Sequence, residues 1–335
     1  MPVYNAAAYL DEAIASITGQ TFDDFEFLIV NDHSTDGSEA IIRKHAQKDS
    51  RIRLLSNRKT KGIAGALNTG REEARGRYIA RMDADDVSLP QRLEKQVRFM
   101  DEHPDVGVSG TWMEVIGEGQ RRLWFPFPAD PEQIRVGLLF YSPIGGPTAI
   151  MRRALLEKHC LGHDETVGFV EDYDLWERSA MFFPLSNLTE VLLFYRIHGA
   201  NVSMVKSERE LTNVWIIKAR QIERLGLFPT EEEKEVHDRI FFGPHEGPGF
   251  AHRAEAWLLK LARANRRKGV YRTRLFEKEM RRIYFNARFG GRGFRPATVL
   301  GLFLYRLCLF FPPSPGEVIG LGIRYLRSLA KAATL

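Results

Sequence analysis

Three carboxylates fall within four consecutive positions of this sequence, in the run Met82-Asp83-Ala84-Asp85-Asp86 at the end of an apolar stretch. In an extended chain, Asp83 and Asp85 project to the same side. They would then offer hard oxygen ligands to Mg²⁺ or Mn²⁺, ions that bind substrate phosphates as well as carboxylates. Asp is also common in turns and at helix N-caps, so an alternative role for Asp86 is to cap a helix that follows Pro90.

Five other segments carry side chains suited to binding or proton transfer. They are residues 2–5 (Pro-Val-Tyr-Asn), residues 30–38 with Asp32 and Asp36, residues 61–70 with two glycines before Asn68, residues 170–176 with adjacent acids, and residues 195–203 with His198.

The elements that position these segments follow from hydrophobic periodicity. Apolar residues recur at helical spacing from Tyr9 to Ile17, and the apolar strand at residues 25–30 ends in the polar run 31–36. Further helices are predicted around Ile42, over residues 63–74 and after Pro90, with strands at residues 52–55 and 78–82. This order predicts an α/β fold with a doubly wound, mostly parallel sheet and helices on both faces. Ligands bind such sheets beyond the carboxyl ends of the strands, where the polar runs 31–36 and 83–86 both fall.

Beyond residue 204 the pattern is almost entirely helical, with apolar spacing typical of helices over residues 208–225, 251–267 and 274–286. We therefore predict two regions, an α/β domain over residues 1–204 and a helical region over residues 205–335.

The two regions differ in charge. The net charge of the whole chain is +5, but residues 1–204 carry 23 Lys and Arg against 30 Asp and Glu, whereas residues 205–335 carry 25 against 13. Residues 253–295 alone hold 14 basic and 3 acidic side chains, a net charge of +11. Such a concentration indicates a polyanionic neighbour, either nucleic acid or an anionic membrane surface.

Several classes of protein are disfavoured by composition. Cys160 and Cys308 are the only cysteines, too few for a disulfide framework or a zinc site. No secretory signal is visible at the start, and no run reaches the roughly 20 apolar residues of a membrane-crossing helix, so we expect a cytoplasmic protein. Residues 299–311 are apolar but short. Residues 318–333 place basic and apolar side chains on opposite faces, as expected of an interfacial helix or of one packed on the α/β domain.

The five segments and the carboxylate run together resemble glycosyltransferase family 2, whose GT-A fold enzymes use nucleotide-diphosphate sugars and invert the anomeric centre. The motifs occur in the family's order, and the resemblance extends from Met1 to about Ser203.

The resemblance implies roles for individual residues. Asp32 would accept the ring N3–H of uracil or thymine while the base stacks on Tyr4, although an Asx turn with Ser34 is the alternative for Asp32. Asp172 would be the catalytic base and Glu171 would bind the acceptor. The implied nucleotide-sugar-binding residues are Pro2, Val3, Tyr4, Asp32, Lys61, Asn68, Asp83 and Ala84. The implied ligands of Mg²⁺ or Mn²⁺ are Asp85, Asp83 and His198.

The sequence departs from the family's pattern at three points. Asn31 stands where many relatives carry an acid, which affects the expected ribose contact. Relatives have a full apolar strand before the Pro-x-Tyr-Asn segment, so we expect the first strand to be truncated and the native product to begin upstream of Met1. The Q-x-x-R-W signature of processive synthases is absent, which disfavours processive synthesis.

The resemblance favours a metal-dependent inverting transferase that moves one sugar from a UDP- or dTDP-type donor to a lipid-linked or glycan acceptor in cell-surface polysaccharide synthesis. We expect it to act in the cytoplasm, peripherally at the inner face of the plasma membrane. One alternative is transfer to a polyprenyl phosphate. Such an acceptor is already an anion, so this reaction needs no catalytic base. The other is a nucleic-acid-binding protein that uses the basic helices, disfavoured because no zinc, homeodomain or RRM signature is found.

Overall fold

The computed structural model describes residues 1–117, 124–199, 208–242 and 249–289. The chain forms two compact units, Met1–Gln221 and Ile222–Leu335, and the division falls within one helix.

The first unit alternates strands and helices over most of its length. Its strands are β1 (Pro2–Val3), β2 (Phe27–Asn31), β3 (Ile52–Ser56), β4 (Tyr78–Ala80), β5 (Val87–Ser88), β6 (Val108–Ile116), β7 (Trp124–Phe125), β8 (Ile150–Arg152) and β9 (Leu185–Arg196). Its helices are α1 (Leu10–Thr18), α2 (Ser38–Ala46), α3 (Ile63–Glu73), α4 (Arg92–Glu102), α5 (Pro131–Gly137), α6 (Arg153–Lys158), α7 (Glu171–Ser179) and most of α8 (Glu208–Arg224). The predicted α/β fold class is therefore confirmed.

The strands form two sheets. The first is parallel, in the order β1-β2-β3, and the second has the order β4-β8-β6-β9-β5 with β7 added to β6. In the second sheet β6 and β9 are parallel, whereas β4, β5, β7 and β8 pair antiparallel with their neighbours. The sequence predicts one mostly parallel sheet. Parallel pairing is found within β1–β3 and between β6 and β9, whereas the other pairs of the second sheet are antiparallel.

The first helix shows how the sequence pattern builds the layers. Leu10, Ala13, Ile14 and Ile17 recur at helical spacing and are all buried on one face of α1. Leu10, Ile14 and Ile17 belong to one core cluster with Ile29 of β2. Burying this stripe holds α1 against the parallel sheet, in which the pairing of Val3 with Asn31 brings the carboxyl ends of β1 and β2 side by side.

A cavity of about 750 Å³ lies between the two sheets. The edge of β2, the edge of β4 and the helices α3 and α4 all contribute to its wall. The Met1 ammonium lines it and donates to the Leu28 carbonyl oxygen at 2.8 Å. Burial lowers the pKa of this ammonium from 8.0 to about 5. Ala80, in the middle of the molecule, is exposed because the cavity opens beside it.

The cavity yields a stability prediction for the chain that starts at Met1. On the register that pairs Pro2 with Val30, residues added before Met1 would lie opposite Leu28 and Phe27. We expect three or four added apolar residues to raise the melting temperature by several degrees, because they would fill apolar space and extend the ladder. Differential scanning calorimetry of the two proteins measures this effect.

The same comparison has a pH signature. The folded-state pKa of the Met1 ammonium is lowered, so the unfolded chain binds the proton more strongly and stability falls as the pH drops from about 8 to about 5. The extended protein should lose this slope because its ammonium lies outside the cavity. A serine-rich extension of equal length is the control. Equal melting temperatures and equal pH slopes in all three proteins would contradict the prediction.

The second unit is helical. It contains the end of α8, α9 (Glu231–Phe242), α10 (Phe250–Lys268) and α11 (Thr273–Phe289). Its core holds a buried polar pair, since Trp257 Nε1 donates to His237 Nδ1 at 3.0 Å. Part of the basic charge is balanced internally, because Glu232 pairs with Arg253 at 3.3 Å and Glu233 with Lys260 at 2.7 Å.

The predicted division at residue 204 differs from the division between the compact units. Most of α8 belongs to the first unit because Arg220 contacts the buried Asp174 at 2.5 Å and Gln221 Nε2 donates to the Leu138 carbonyl at 2.7 Å. The apolar segment 299–311 and the segment 318–333, expected either to lie at a membrane interface or to pack on the α/β domain, lie outside the described residues. Among the helices that the structure describes, none combines the length and the apolar composition needed to cross a membrane.

Candidate active site

The ends of β1 and β2 and the loop after β3 form a pocket around Asp32. This aspartate is 4% exposed, and its two oxygens accept hydrogen bonds from Asn57 Nδ2 at 2.7 Å and from the Gly62 N–H at 2.8 Å. Gly62 has φ of 126°, a conformation that glycine adopts without steric cost. The loop after β3 is thereby folded against Asp32, and each carboxylate oxygen keeps capacity for a second donor.

The Asx turn considered for Asp32 belongs to its neighbour. Asn31 Oδ1 accepts the Ser34 N–H at 3.0 Å, and Asn31 Nδ2 donates to Glu39 at 3.0 Å. The alternative role for Asp32 is therefore wrong. Asn31 organises the turn after β2 and leaves the Asp32 carboxylate free of it.

Tyr4 and Lys61 lie together at the mouth of this pocket. The Tyr4 ring is 52% exposed, and the Lys61 ammonium lies 4.8 Å from its centroid. Pro2 and Val3 form β1 beneath them. Val3 is buried and its carbonyl accepts the Asp32 N–H at 2.8 Å, so it contributes through its backbone.

Asn68 has a different place from the other predicted nucleotide-binding residues. It is buried, and its Nδ2 donates to the His163 carbonyl at 2.8 Å and to Glu165 Oε1 at 2.9 Å. Its Oδ1 accepts the His163 N–H at 3.0 Å. The amide of Asn68 is thus used to tie α3 to the loop that leads into α7.

The carboxylates after β4 point in different directions. The strand ends at Ala80, and a turn follows, so the alternating projection expected of an extended chain does not apply. Asp83 contacts Arg81, with Oδ1 at 3.0 Å from Nε, while Asp85 Oδ2 lies 3.0 Å from His198 Nε2. Ala84, between them, is buried.

Asp86 does not cap the following helix. The residue before α4 is Gln91, which makes no side-chain cap, and Asp86 is instead buried and accepts the Arg196 N–H at 2.8 Å. The capping role considered for Asp86 is therefore wrong. Asp86 anchors the end of β9, the strand that leads to His198.

Several carboxylates lie close to the pair of Asp85 and His198. Burial and then the charge of Asp83 raise the pKa of Asp85, against the opposing effect of His198. Burial, Asp83 and Asp85 raise the pKa of Asp86 well above its usual value. A divalent cation bound at this place would favour the ionised form of both carboxylates.

The fit to a metal is therefore best at two of the three predicted ligands. Asp85 Oδ2 and His198 Nε2 are atoms able to bind a metal and lie 3.0 Å apart, whereas the Asp83 carboxylate is taken by Arg81. No group of three His, Cys, Asp or Glu side chains in the described part of the chain is arranged to hold a metal ion.

Glu171 and Asp172 open α7, and Glu171 pairs with Arg81. The Arg81 guanidinium is 5% exposed, and Nη1 donates to Glu171 Oε1 at 2.9 Å. A β-carbon placed on Gly146 would lie 2.7 Å from Asp172 Oδ2 and 2.8 Å from Arg81 Nη1. Asp172 Oδ2 and Arg81 Nη1 are therefore at most 5.5 Å apart, the sum of these two distances.

The electrostatics of these acids follow from burial opposed by one cation. Burial raises the pKa of Glu171 to about 7 and also raises the pKa of Asp172, and in both cases the nearby Arg81 opposes the shift. Burial works against the Arg81 charge, but Asp83, Glu171 and Asp172 outweigh it and raise the pKa of the guanidinium.

Two residues of this cluster are absent from the sequence-based prediction. The sequence pattern places Arg81 within the predicted strand at residues 78–82, and it assigns no role to Gly146. A charged side chain inside a predicted buried strand is itself a signal, because an arginine that is fully buried is almost always paired. Nothing in the sequence around Gly146 indicates that a side chain there would meet two charged groups.

The chain matches known proteins over much of its length. The family model for "Glycosyl transferase family 2" covers residues 1–160. An uncharacterised glycosyltransferase of Haemophilus influenzae is 32% identical over 229 residues, which span 65% of this chain and 71% of that protein. The O-antigen biosynthesis glycosyltransferase WbnJ of Escherichia coli is 35% identical over 209 residues, 59% of this chain and 78% of WbnJ.

A solved structure shares the fold. The structure of S. aureus TarS 1–349 in complex with UDP-GlcNAc superposes with a TM-score of 0.57 at 20% identity, covering 85% of this chain and 87% of the other. The fold and the sequence matches together define a GT-A glycosyltransferase. The chain belongs to glycosyltransferase family 2.

Proposed function

We propose that this glycosyltransferase transfers a single sugar, with inversion and with a divalent cation, from a UDP- or dTDP-type donor to a hydroxyl of a lipid-linked or glycan acceptor in cell-surface polysaccharide synthesis. The observation that carries the proposal is the cluster around Arg81. It brings Asp83, beside the predicted metal ligand Asp85, together with Asp172 of α7. A proton acceptor thus lies next to the group of residues expected to hold the donor.

The donor's base would bind at the pocket of Asp32. The exposed Tyr4 ring offers a stacking face, and a carboxylate held by Asn57 and Gly62 offers an acceptor for the N3–H of a pyrimidine. Lys61, above the Tyr4 ring, is placed to move aside for a base or to meet a phosphate. The UDP-GlcNAc in the TarS complex supports a uridine nucleotide.

Asp85 and His198 would hold the Mg²⁺ or Mn²⁺ ion. When bound, such an ion neutralises the negative charge that develops on the departing diphosphate. Asp83 would act through its contact with Arg81 rather than as a direct ligand.

Asp172 would take the proton of the attacking hydroxyl. A base needs its carboxylate ionised, and Arg81 opposes the effect of burial on that carboxylate. Glu171 was predicted to bind the acceptor, but it is 2% exposed and pairs with Arg81. Its role would instead be to help hold Asp172 in place. The O-antigen role of WbnJ supports an acceptor in cell-surface glycan synthesis.

A donor screen tests the proposal. We expect one or a few UDP- or dTDP-hexoses to be hydrolysed slowly in the presence of Mn²⁺, with release of the nucleoside diphosphate. The same donors should be inert in EDTA, and GDP- and CMP-sugars should be poor substrates because purine rings and cytosine lack the N3–H pattern that Asp32 would read. Turnover that is equal in EDTA, or a preference for a purine donor, would contradict the proposal.

A further inference from the structure

The main chain of Arg81 is held by buried polar groups on two sides. Its N–H donates to the Ala149 carbonyl at 2.8 Å, and its carbonyl oxygen accepts from the guanidinium of the fully buried Arg92. Arg92 Nε also donates to Gln96 Oε1 at 3.0 Å, and Gln96 Nε2 donates to the Thr148 carbonyl at 2.8 Å. The guanidinium of Arg81 is therefore presented from a rigid base.

The turn that carries Gly146 closes over the same guanidinium. The 3₁₀ turn Gly146–Thr148 is buried throughout, and Thr148 Oγ1 donates to the Gly145 carbonyl at 2.8 Å. Because Gly146 has no side chain, Asp172 Oδ2 and Arg81 Nη1 both approach its α-carbon. A side chain at this position would therefore collide with both groups.

We infer that Arg81 is a positioning residue of the transfer reaction: its buried guanidinium joins the Asp83 carboxylate, on the donor side, to Glu171, the neighbour of the proposed base Asp172 at the start of α7. This inference rests on the proposed function. It assigns to Arg81 a part that neither the family match nor the sequence motifs assign to it.

The shape of the guanidinium makes this role specific to arginine. Its planar fork presents five donors, which here reach Asp83 through Nε and Nη2 and Glu171 through Nη1. A lysine ammonium is a point charge on a flexible stem and cannot span carboxylates on opposite sides of the fork. Without any cation, three carboxylates would face one another in a buried site, and protonation would remove the base.

The role also explains how the acids divide between two tasks. Arg81 contacts Asp83 and Glu171, whereas Asp85 contacts His198. Arg81 would then serve the base, and a divalent cation held by Asp85 and His198 would serve the diphosphate.

Chemical rescue tests the inference. The assay is hydrolysis of the UDP- or dTDP-hexose that the wild-type protein turns over fastest in Mn²⁺. We expect Arg81→Ala to lower kcat by at least ~100-fold with less than a threefold change in donor KM, since the base and not the nucleotide pocket loses its partner. Guanidinium chloride at low millimolar concentration should then restore kcat at least tenfold, whereas methylammonium should not.

Arg152→Ala is the matched control. Arg152 lies on β8, the neighbour of β4, and its guanidinium binds the carbonyls of Met100 at 2.8 Å and His103 at 3.2 Å, away from the acids. We expect this variant to lower the melting temperature, to keep kcat within threefold, and to show no response to guanidinium. A rescue confined to Arg81→Ala cannot come from a general effect on folding.

If Arg81→Ala fails to fold, Arg81→Lys replaces it, because the lysine keeps one buried charge. We then expect a melting temperature near that of the wild type and a kcat at least tenfold lower. Suppose that the wild type is active. If the folded Arg81 variant then keeps kcat within threefold, or if guanidinium does not rescue Arg81→Ala, the inference is overturned while the proposed function stands. A wild type that hydrolyses no pyrimidine sugar nucleotide would overturn the proposed function and this inference with it.

Discussion

Replacing Asp172 with asparagine is expected to lower kcat by at least ~100-fold and to leave the affinity for the nucleotide unchanged. The substitution keeps the shape of the side chain beside Gly146 and removes its ability to take a proton. Because burial raises the pKa of Asp172, its charge costs the folded state free energy at neutral pH, so the melting temperature should stay the same or rise. The acid limb of the kcat profile of the wild type should also lie above the pH typical of an ordinary aspartate.

The matched control is Asp174→Asn on the same helix. Asp174 is buried and pairs with Arg178 and Arg220 rather than with Arg81, so the variant should lose stability and keep kcat. The two substitutions therefore separate proton transfer from the packing of α7. Near-normal turnover by Asp172→Asn would exclude this residue as the base and would favour a phosphate acceptor, which is already an anion.

Replacing Asp85 with alanine is expected to abolish measurable turnover and to remove the Mn²⁺ dependence of UDP binding. Asp85 is the carboxylate that faces His198, and burial together with neighbouring carboxylates raises the pKa values of Asp85 and Asp86. Removing one of these crowded charges should not destabilise the fold at neutral pH. Titration calorimetry with UDP, in Mn²⁺ and in EDTA, measures the effect directly.

Two further variants test whether the loss of Mn²⁺-dependent binding is specific to Asp85. Asp105→Ala, at an exposed site after α4, should bind UDP as the wild type does. Asp83→Asn should retain Mn²⁺-dependent UDP binding, because Asp83 contacts Arg81 and not His198. If Asp85→Ala binds UDP with unchanged affinity in Mn²⁺, the metal does not bind at Asp85.

Much of the fold was predictable because local pattern and tertiary burial agree. The apolar spacing of Leu10, Ile14 and Ile17 predicts α1, and the uninterrupted apolar run before Asn31 predicts β2, since each buries the same residues that the pattern selects. The ends of helices and strands were predicted less accurately. β4 ends at Ala80 because Arg81 and the turn after it serve the acid cluster rather than the sheet.

The candidate site divides in the same way. Sequence by itself selected the candidate acids Asp32, Asp85 and Asp172, because each lies in a motif that resembles those of the family. Asp32 directly follows β2, and Asp172 lies in the first turn of α7, where backbone polarity favours carboxylates. Sequence also determined the two-region charge pattern, which depends on composition alone.

Only the tertiary structure decided which acids act together. Asp83 and Asp85 are two residues apart, yet one contacts Arg81 and the other His198, while Asp83 and Glu171 share one guanidinium across a separation of 88 positions in the chain. Charge pairing depends on distances of a few ångströms, and those distances are set by packing of α4, β8 and the turn at Gly146. Periodicity records which side of an element is buried, but it carries no information about which buried charge meets which.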